Sequence, residues 1–117
     1  MNSLELQNRL KFFAFRIVNV CDTLPKKKIS AVIERQLLRS AFSSAANYRS
    51  ACKAMSKKSF VSKLSIAFEE MDESLFWLEV VKDLDLQPSR KLASILKEAT
   101  ELASILAASR KTSQKKV

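Results

Sequence analysis

Apolar side chains return every three or four positions along almost the whole chain, the spacing that lines one face of an α-helix. The first series is Leu6, Leu10, Phe13, Ile17, Cys21 and Leu24, and it predicts a helix from Ser3 to Leu24. Asn2 or Ser3 can cap its start, Glu5 suits the first-turn amides, and Pro25 stops it. A basic connector, Lys26 to Lys28, leads into a second series: Val32 or Ile33, Leu37, Ala41, Ser44 or Ala45, Tyr48, Cys52 and Met55. This predicts a helix from Ile29 to Met55. Ser56 is placed to cap a third, carried to Leu84 by Phe60, Leu64, Ala67, Met71, Leu75, Leu78 and Val81. Pro88 suits the first turn of a fourth, where Leu92, Ile95, Leu96, Ala99, Leu102, Ala103 and Leu106 continue the pattern to about Arg110.

Long helices joined by short connections pack as antiparallel neighbours, so the expected fold is all-α: an antiparallel up-down-up-down four-helix bundle over residues 1–111. Residues 112–117 offer nothing to bury and are expected to form a basic disordered tail. Two departures from a plain amphipathic pattern stand out. The second helix is nearly all Ala and Ser from Ser40 to Asn47, apart from Phe42, which predicts a close crossing with neighbouring helices. The third carries a second apolar set, Phe68, Phe76, Trp77, Val80 and Leu84, wide enough for a fourth helix or for a subunit interface.

Composition narrows the chemistry. The 117-residue chain has no glycine and two prolines, which removes phosphate-cradling loops and dinucleotide fingerprints along with tight β-turns. It has no histidine either, so histidine-based triads, general bases and zinc ligands are excluded. No catalytic residue and no cofactor is expected. Glu69, Glu70, Asp72 and Glu73 read as a solvated or ion-paired face, since carboxylate metal centres in bundles normally add histidines. Cys21 and Cys52 fall in apolar patterns and read as buried small hydrophobes in a reduced, cytoplasmic setting. Arg16 interrupts the run from Phe12 to Cys21, which reads as neither a signal peptide nor a membrane span.

Charge adds the functional clue. The formal net charge is +9, and between Lys26 and Lys63 Glu34 is the only acidic residue. From Glu69 to Asp85 the sign reverses. A field of that sign attracts nucleic acid, acidic proteins or anionic surfaces. The candidate phosphate-contacting residues are Arg35, Arg39, Arg49 and Lys53 on the second helix, then Lys57, Lys58 and Lys63 around the following turn. For Arg39 alone, a role as a forked donor to carboxylates beside the small-residue crossing is preferred. Tyr48 and Trp77 lie close to apolar stripes and are expected to pack rather than stack on bases. Asn47 is expected to bond across a helix crossing.

The segment QLLRSAFSSAANYRSACKAMSKKSFVSKLSIAFEEMDESLFWLEVVKDLDL, from Gln36 to Leu86, resembles the four-helix-bundle proteins encoded by intervening sequences in bacterial 23S ribosomal RNA genes. KEATELASIL, from Lys97 to Leu106, fits as well. The pattern is a Leu-Arg-Ser segment with small residues and an Asn, then Lys-x-x-Phe, Leu-x-x-Ala and an acidic Leu-rich run. This resemblance implies a bundle that assembles as a homo-oligomer, a homopentamer by family expectation. The chain is also similar to the accessory variability determinant of diversity-generating retroelements, a basic bundle that binds nucleic acid and a reverse transcriptase. The resulting expectation is a non-enzymatic oligomer that binds RNA or DNA through backbone electrostatics. The alternative is a scaffold or adaptor for a protein partner, such as a reverse transcriptase, without a nucleic acid role.

Overall fold

The computed structural model describes residues 1–115 and contains four helices in chain order: α1 (Ser3–Asp22), α2 (Lys28–Cys52), α3 (Lys57–Asp83) and α4 (Ser89–Lys115). Each packs against its neighbour in sequence, and α4 closes back on α1. The longest dimension is 46 Å, close to the length of α3 or α4 at about 1.5 Å per residue, so the helices run along one axis. The expected up-down-up-down bundle is the observed fold.

The core is the set of periodic positions. Leu6, Leu10, Phe13, Ile17, Cys21 and Leu24 are all buried, as are Ile33, Leu37, Ala41, Ser44 and Tyr48 of α2. Leu64, Ala67, Met71, Leu78 and Val81 meet them from α3, and Leu92, Ile95, Ala99, Leu102, Ala103 and Leu106 complete the core from α4. Val32 and Ala45 lose to Ile33 and Ser44 as the inward members of their pairs.

Caps set the boundaries. Asn2 Oδ1 accepts from the Glu5 amide at 2.8 Å while its Nδ2 donates to Glu5 Oε1 at 2.8 Å, a reciprocal cap on α1. Ser56 caps α3 by accepting from the Ser59 amide at 3.1 Å. Ser56 is extended, at φ −140° and ψ 159°, so α2 must release the chain before it and stops at Cys52 rather than Met55. Cys52, the last residue of α2, is exposed, and Met55 beyond it is 99% exposed, which corrects the expectation that both belong to the core stripe. Cys21 is buried as expected, bonds weakly to the Glu34 carbonyl at 3.9 Å, and has its thiol pushed up to about 12 by burial. From Glu34 to Cys52 is a run of about 27 Å along α2, so the two thiols cannot pair within one chain.

The end of α3 is a Schellman turn made without glycine. The Leu86 amide donates to Val81 O and the Asp85 amide to Lys82 O, both at 3.0 Å, with Asp85 in the left-handed region at φ 57°. Leu86 then tucks into the core, and Gln87 donates to Val20 O at 2.9 Å, tying the α3–α4 connection to the end of α1. Asp tolerates this backbone less well than Gly. Asp85→Gly is therefore expected to stabilise the protein by about 0.5–1 kcal/mol, read as a rise of a few degrees in the thermal midpoint.

The fourth helix overruns its expected end. It continues through Thr112, Ser113, Gln114 and Lys115, residues read from sequence as disordered tail; residues 116 and 117 lie outside the described residues. No Gly or Pro stops the helix after Arg110, and Lys and Gln sustain helix well.

Candidate nucleic-acid interface

The small residues of α2 are where α2 meets α3. Ser40 Oγ and Ser74 Oγ share a hydrogen bond at 2.7 Å, and Ser44 Oγ donates to the Ala67 carbonyl of α3 at 2.7 Å. A side-chain hydroxyl reaches the facing backbone only if the helices are close, so the Ala/Ser stretch is a packing seam. Asn47 does not bond across the crossing as expected. Its amide donates to Ser43 O at 2.9 Å on its own helix. Tyr48 is buried beside Cys52, and burial with that neighbour pushes its hydroxyl pKa up. Trp77 is half-buried and packs edge-on against Phe76, with ring centroids 5.0 Å apart.

Arg39 flanks the same seam and is engaged within the chain. Its guanidinium donates to Glu70 through Nη1 and to Glu73 through Nη2, the forked arrangement preferred for it from sequence. Those carboxylates are thereby occupied. A second fork closes the α1–α4 seam: Arg9 donates to Glu98 through Nε at 2.8 Å and Nη2 at 2.7 Å, and Nη2 also reaches Glu101 at 2.7 Å. Hydrogen bonding from Arg9 holds the Glu98 carboxyl below its usual value. Arg16 adds a bond to Ser94 Oγ at 2.9 Å.

The remaining cations are divided by topology. Lys26 and Lys27 precede α2, Lys28 opens it, and all three sit at the end of the bundle that also carries Asp22, Asp83 and Asp85. Arg49, Lys53, Lys57 and Lys58 sit at the other end, one length of α2 away, or about 37 Å. The continuous basic band of the sequence is thus split between two ends. Lys63 lies two turns into α3 and is half-buried, while Arg35 is exposed about 21 Å along α2 from Arg49. The fold brings Arg49, Lys53, Lys57 and Lys58 together and leaves Arg35 and Arg39 apart.

The same end gains cations that sequence reasoning missed. Because α4 stays helical to Lys115 and runs antiparallel to α3, its end carries Lys111 and Lys115 toward the start of α3, while the Arg110 guanidinium turns to Phe68, about three turns into α3. Arg110 lies over the Phe68 ring, 4.6 Å from its centroid. Arg110 and Lys111 fell within the expected bundle but were not counted as candidates, and Lys115 fell in the stretch read as tail because the apolar stripe ends at Leu106. Among the described residues, no ion pair engages Arg49, Lys53, Lys57, Lys58, Arg110, Lys111 or Lys115. Lys57 and Lys58 also stand in the first turn of α3, which holds no acidic residue, so the helix dipole and the side chains present the same sign.

A family model described as 23S rRNA-intervening sequence protein matches residues 2–108. The chain belongs to that family. Its fold is shared by a protein of unknown function from the S23 ribosomal protein family of Bacteroides thetaiotaomicron, whose crystal structure was determined at 1.70 Å. The two are 32% identical with a TM-score of 0.85, over 95% of this chain and 99% of the other. Among curated proteins no sequence matches. The family match ends at residue 108, just before Arg110, Lys111 and Lys115, so these three cations lie outside the matched region. No described helix is long and apolar enough to cross a membrane.

Proposed function

We propose that this member of the 23S rRNA-intervening sequence protein family is a non-enzymatic oligomeric bundle that binds nucleic acid, RNA before DNA, through its phosphate backbone. The observation that carries the reading is the basic end: Arg49, Lys53, Lys57, Lys58, Lys111 and Lys115, six cations from the ends of α2, α3 and α4, none in an ion pair among the described residues. Like charges so gathered repel one another, and a polyanion relieves that repulsion while its condensed counterions are released. Among the described residues Glu5 is the one carboxylate in the terminal turns at this end, whereas Glu69, Asp72, Glu79 and Asp83 line α3 and Asp22 and Asp85 stand at the opposite end, so the basic end keeps a net positive charge. The family description, which names a ribosomal RNA intervening sequence, favours RNA. A cytoplasmic location and assembly as a homopentamer accompany this proposal.

Binding should be electrostatic and weakly dependent on sequence. Titrating labelled RNA and DNA across a salt series is expected to give a linear fall of log affinity with log salt, at about 0.7–0.9 per phosphate engaged. Absence of binding near 150 mM salt, or binding indifferent to salt, removes the proposal.

The second reading is a scaffold for a protein partner, supported by the acidic outer face of α3, where Phe76 is 53% exposed among Glu69, Asp72, Glu79 and Asp83. Light scattering of variants with the basic-end lysines reversed to glutamate separates the two.

A further inference from the structure

On the α1–α2 seam, two aromatic rings face solvent where the core does not need them. Phe15 and Phe42 are 49% and 40% exposed, with centroids 6.3 Å apart and planes tilted by 49°. Beside them opens a cleft of about 520 Å³, rimmed by Lys11 of α1 and by Arg49 and Lys53 of α2. Ala45 and Ala46 keep it open, and no carboxylate lines it. Phe42, Arg49 and Lys53 share the side of α2 turned away from its core stripe, which fixes cations and ring on one surface.

We propose that this cleft takes unpaired nucleotides of a nucleic acid strand, with bases stacked on Phe15 and Phe42 and phosphates against Lys11, Arg49 and Lys53. The inference rests on the proposed nucleic acid binding and adds the class of ligand: single-stranded rather than duplex. A duplex can satisfy cations but hides its base faces, whereas an unpaired strand presents both a charged backbone and flat apolar surfaces. An acidic polypeptide would meet the cations yet has no repeating flat face for the rings. Continuity favours the strand as well. Arg49 and Lys53 belong both to this cleft and to the basic end, so a chain of phosphates lying across Lys57 and Lys58 leads into it.

The test compares the full chain's binding to an unstructured 20-nucleotide RNA with its binding to the same RNA annealed to its complement, across a salt series. Single-strand binding is expected to be the tighter. Phe15→Ala with Phe42→Ala should weaken single-strand binding at least ten-fold. The same variant should leave the salt slope and duplex binding unchanged, because no cation has been removed. Phe15→Tyr with Phe42→Tyr should restore affinity, since tyrosine keeps the stacking face. Equal affinity for the two forms overturns the inference, as does an alanine variant within two-fold of the parent. A change in subunit number in that variant, or equally tight capture of polyglutamate, assigns the cleft to a second copy or to a protein and overturns it too. Salt-dependent duplex binding with indifferent phenylalanine variants defeats this inference alone; no binding to either form defeats the wider proposal with it.

Discussion

Ser44→Leu is expected to be among the most damaging single substitutions in the bundle, lowering stability by about 3 kcal/mol and the thermal midpoint by roughly 10–15 °C. Ser44 is fully buried, and its hydroxyl is 2.7 Å from the Ala67 carbonyl, so the side chain ends on the backbone of α3. A leucine adds two methyl carbons beyond the atom that already meets this backbone, so α2 and α3 are expected to move apart to admit it. That movement would also break the Ser40–Ser74 bond and stretch the Arg39 fork to Glu70 and Glu73. The cost therefore spreads along the seam and reaches the upper part of the range for overpacking. Ser44→Ala is the matched control. It removes one hydroxyl but leaves the spacing intact, and should cost about 1 kcal/mol. Thermal or denaturant unfolding of the pair decides the matter: equal stability of the two variants would mean that the seam tolerates bulk and is not a close crossing.

The second large effect is on binding. Reversing Lys53, Lys57 and Lys58 together to glutamate should weaken RNA affinity roughly 100-fold at physiological salt and flatten the salt slope by about 2–3 units, three phosphate contacts being lost. The control is a triple reversal of Lys26, Lys27 and Lys28, which changes net charge equally but at the far end of the bundle. If the folded patch binds, the far-end variant should lose less than about ten-fold, through the general field alone. If only total charge matters, the two variants should fall together. Subunit number separates the scaffold reading, because the basic-end variant should then dissociate the oligomer instead of releasing RNA.

These two expectations draw on different layers of information. The close crossing was legible from sequence, since Ser40 to Asn47 contains almost nothing large and only backbone proximity makes such a run useful in a buried face. The fork at Arg39 followed from the same stretch. The bundle, its caps at Asn2 and Ser56, and nearly all of its core were legible for a related reason. A 3.6-residue repeat and a capping hydroxyl are local properties, decided by side chains a few positions apart. Errors gathered at helix ends, where tertiary demands overrule the repeat. Met55 and Cys52 keep the periodic register, yet they fall where the chain must extend to reach the Ser56 cap, and so they face solvent. Residues 112–115 show no apolar signal, yet they carry α4 onward because nothing there stops a helix.

By itself, then, the sequence determined four amphipathic helices, their faces, the seam between α2 and α3, and an excess of positive charge. Which charges act together was decided by the tertiary structure alone. Antiparallel packing sends Lys26–Lys28 to one end and Arg49, Lys53, Lys57 and Lys58 to the other, and it brings Lys111 and Lys115 from a distant part of the chain to join the latter. The physical reason is that periodicity records which way a side chain points around its own axis, whereas clustering of charge depends on where along neighbouring axes it stands. The pairing of Phe15 with Phe42 has the same origin: each is an ordinary outward residue on its helix, and only the α1–α2 packing sets their rings 6.3 Å apart above a basic cleft.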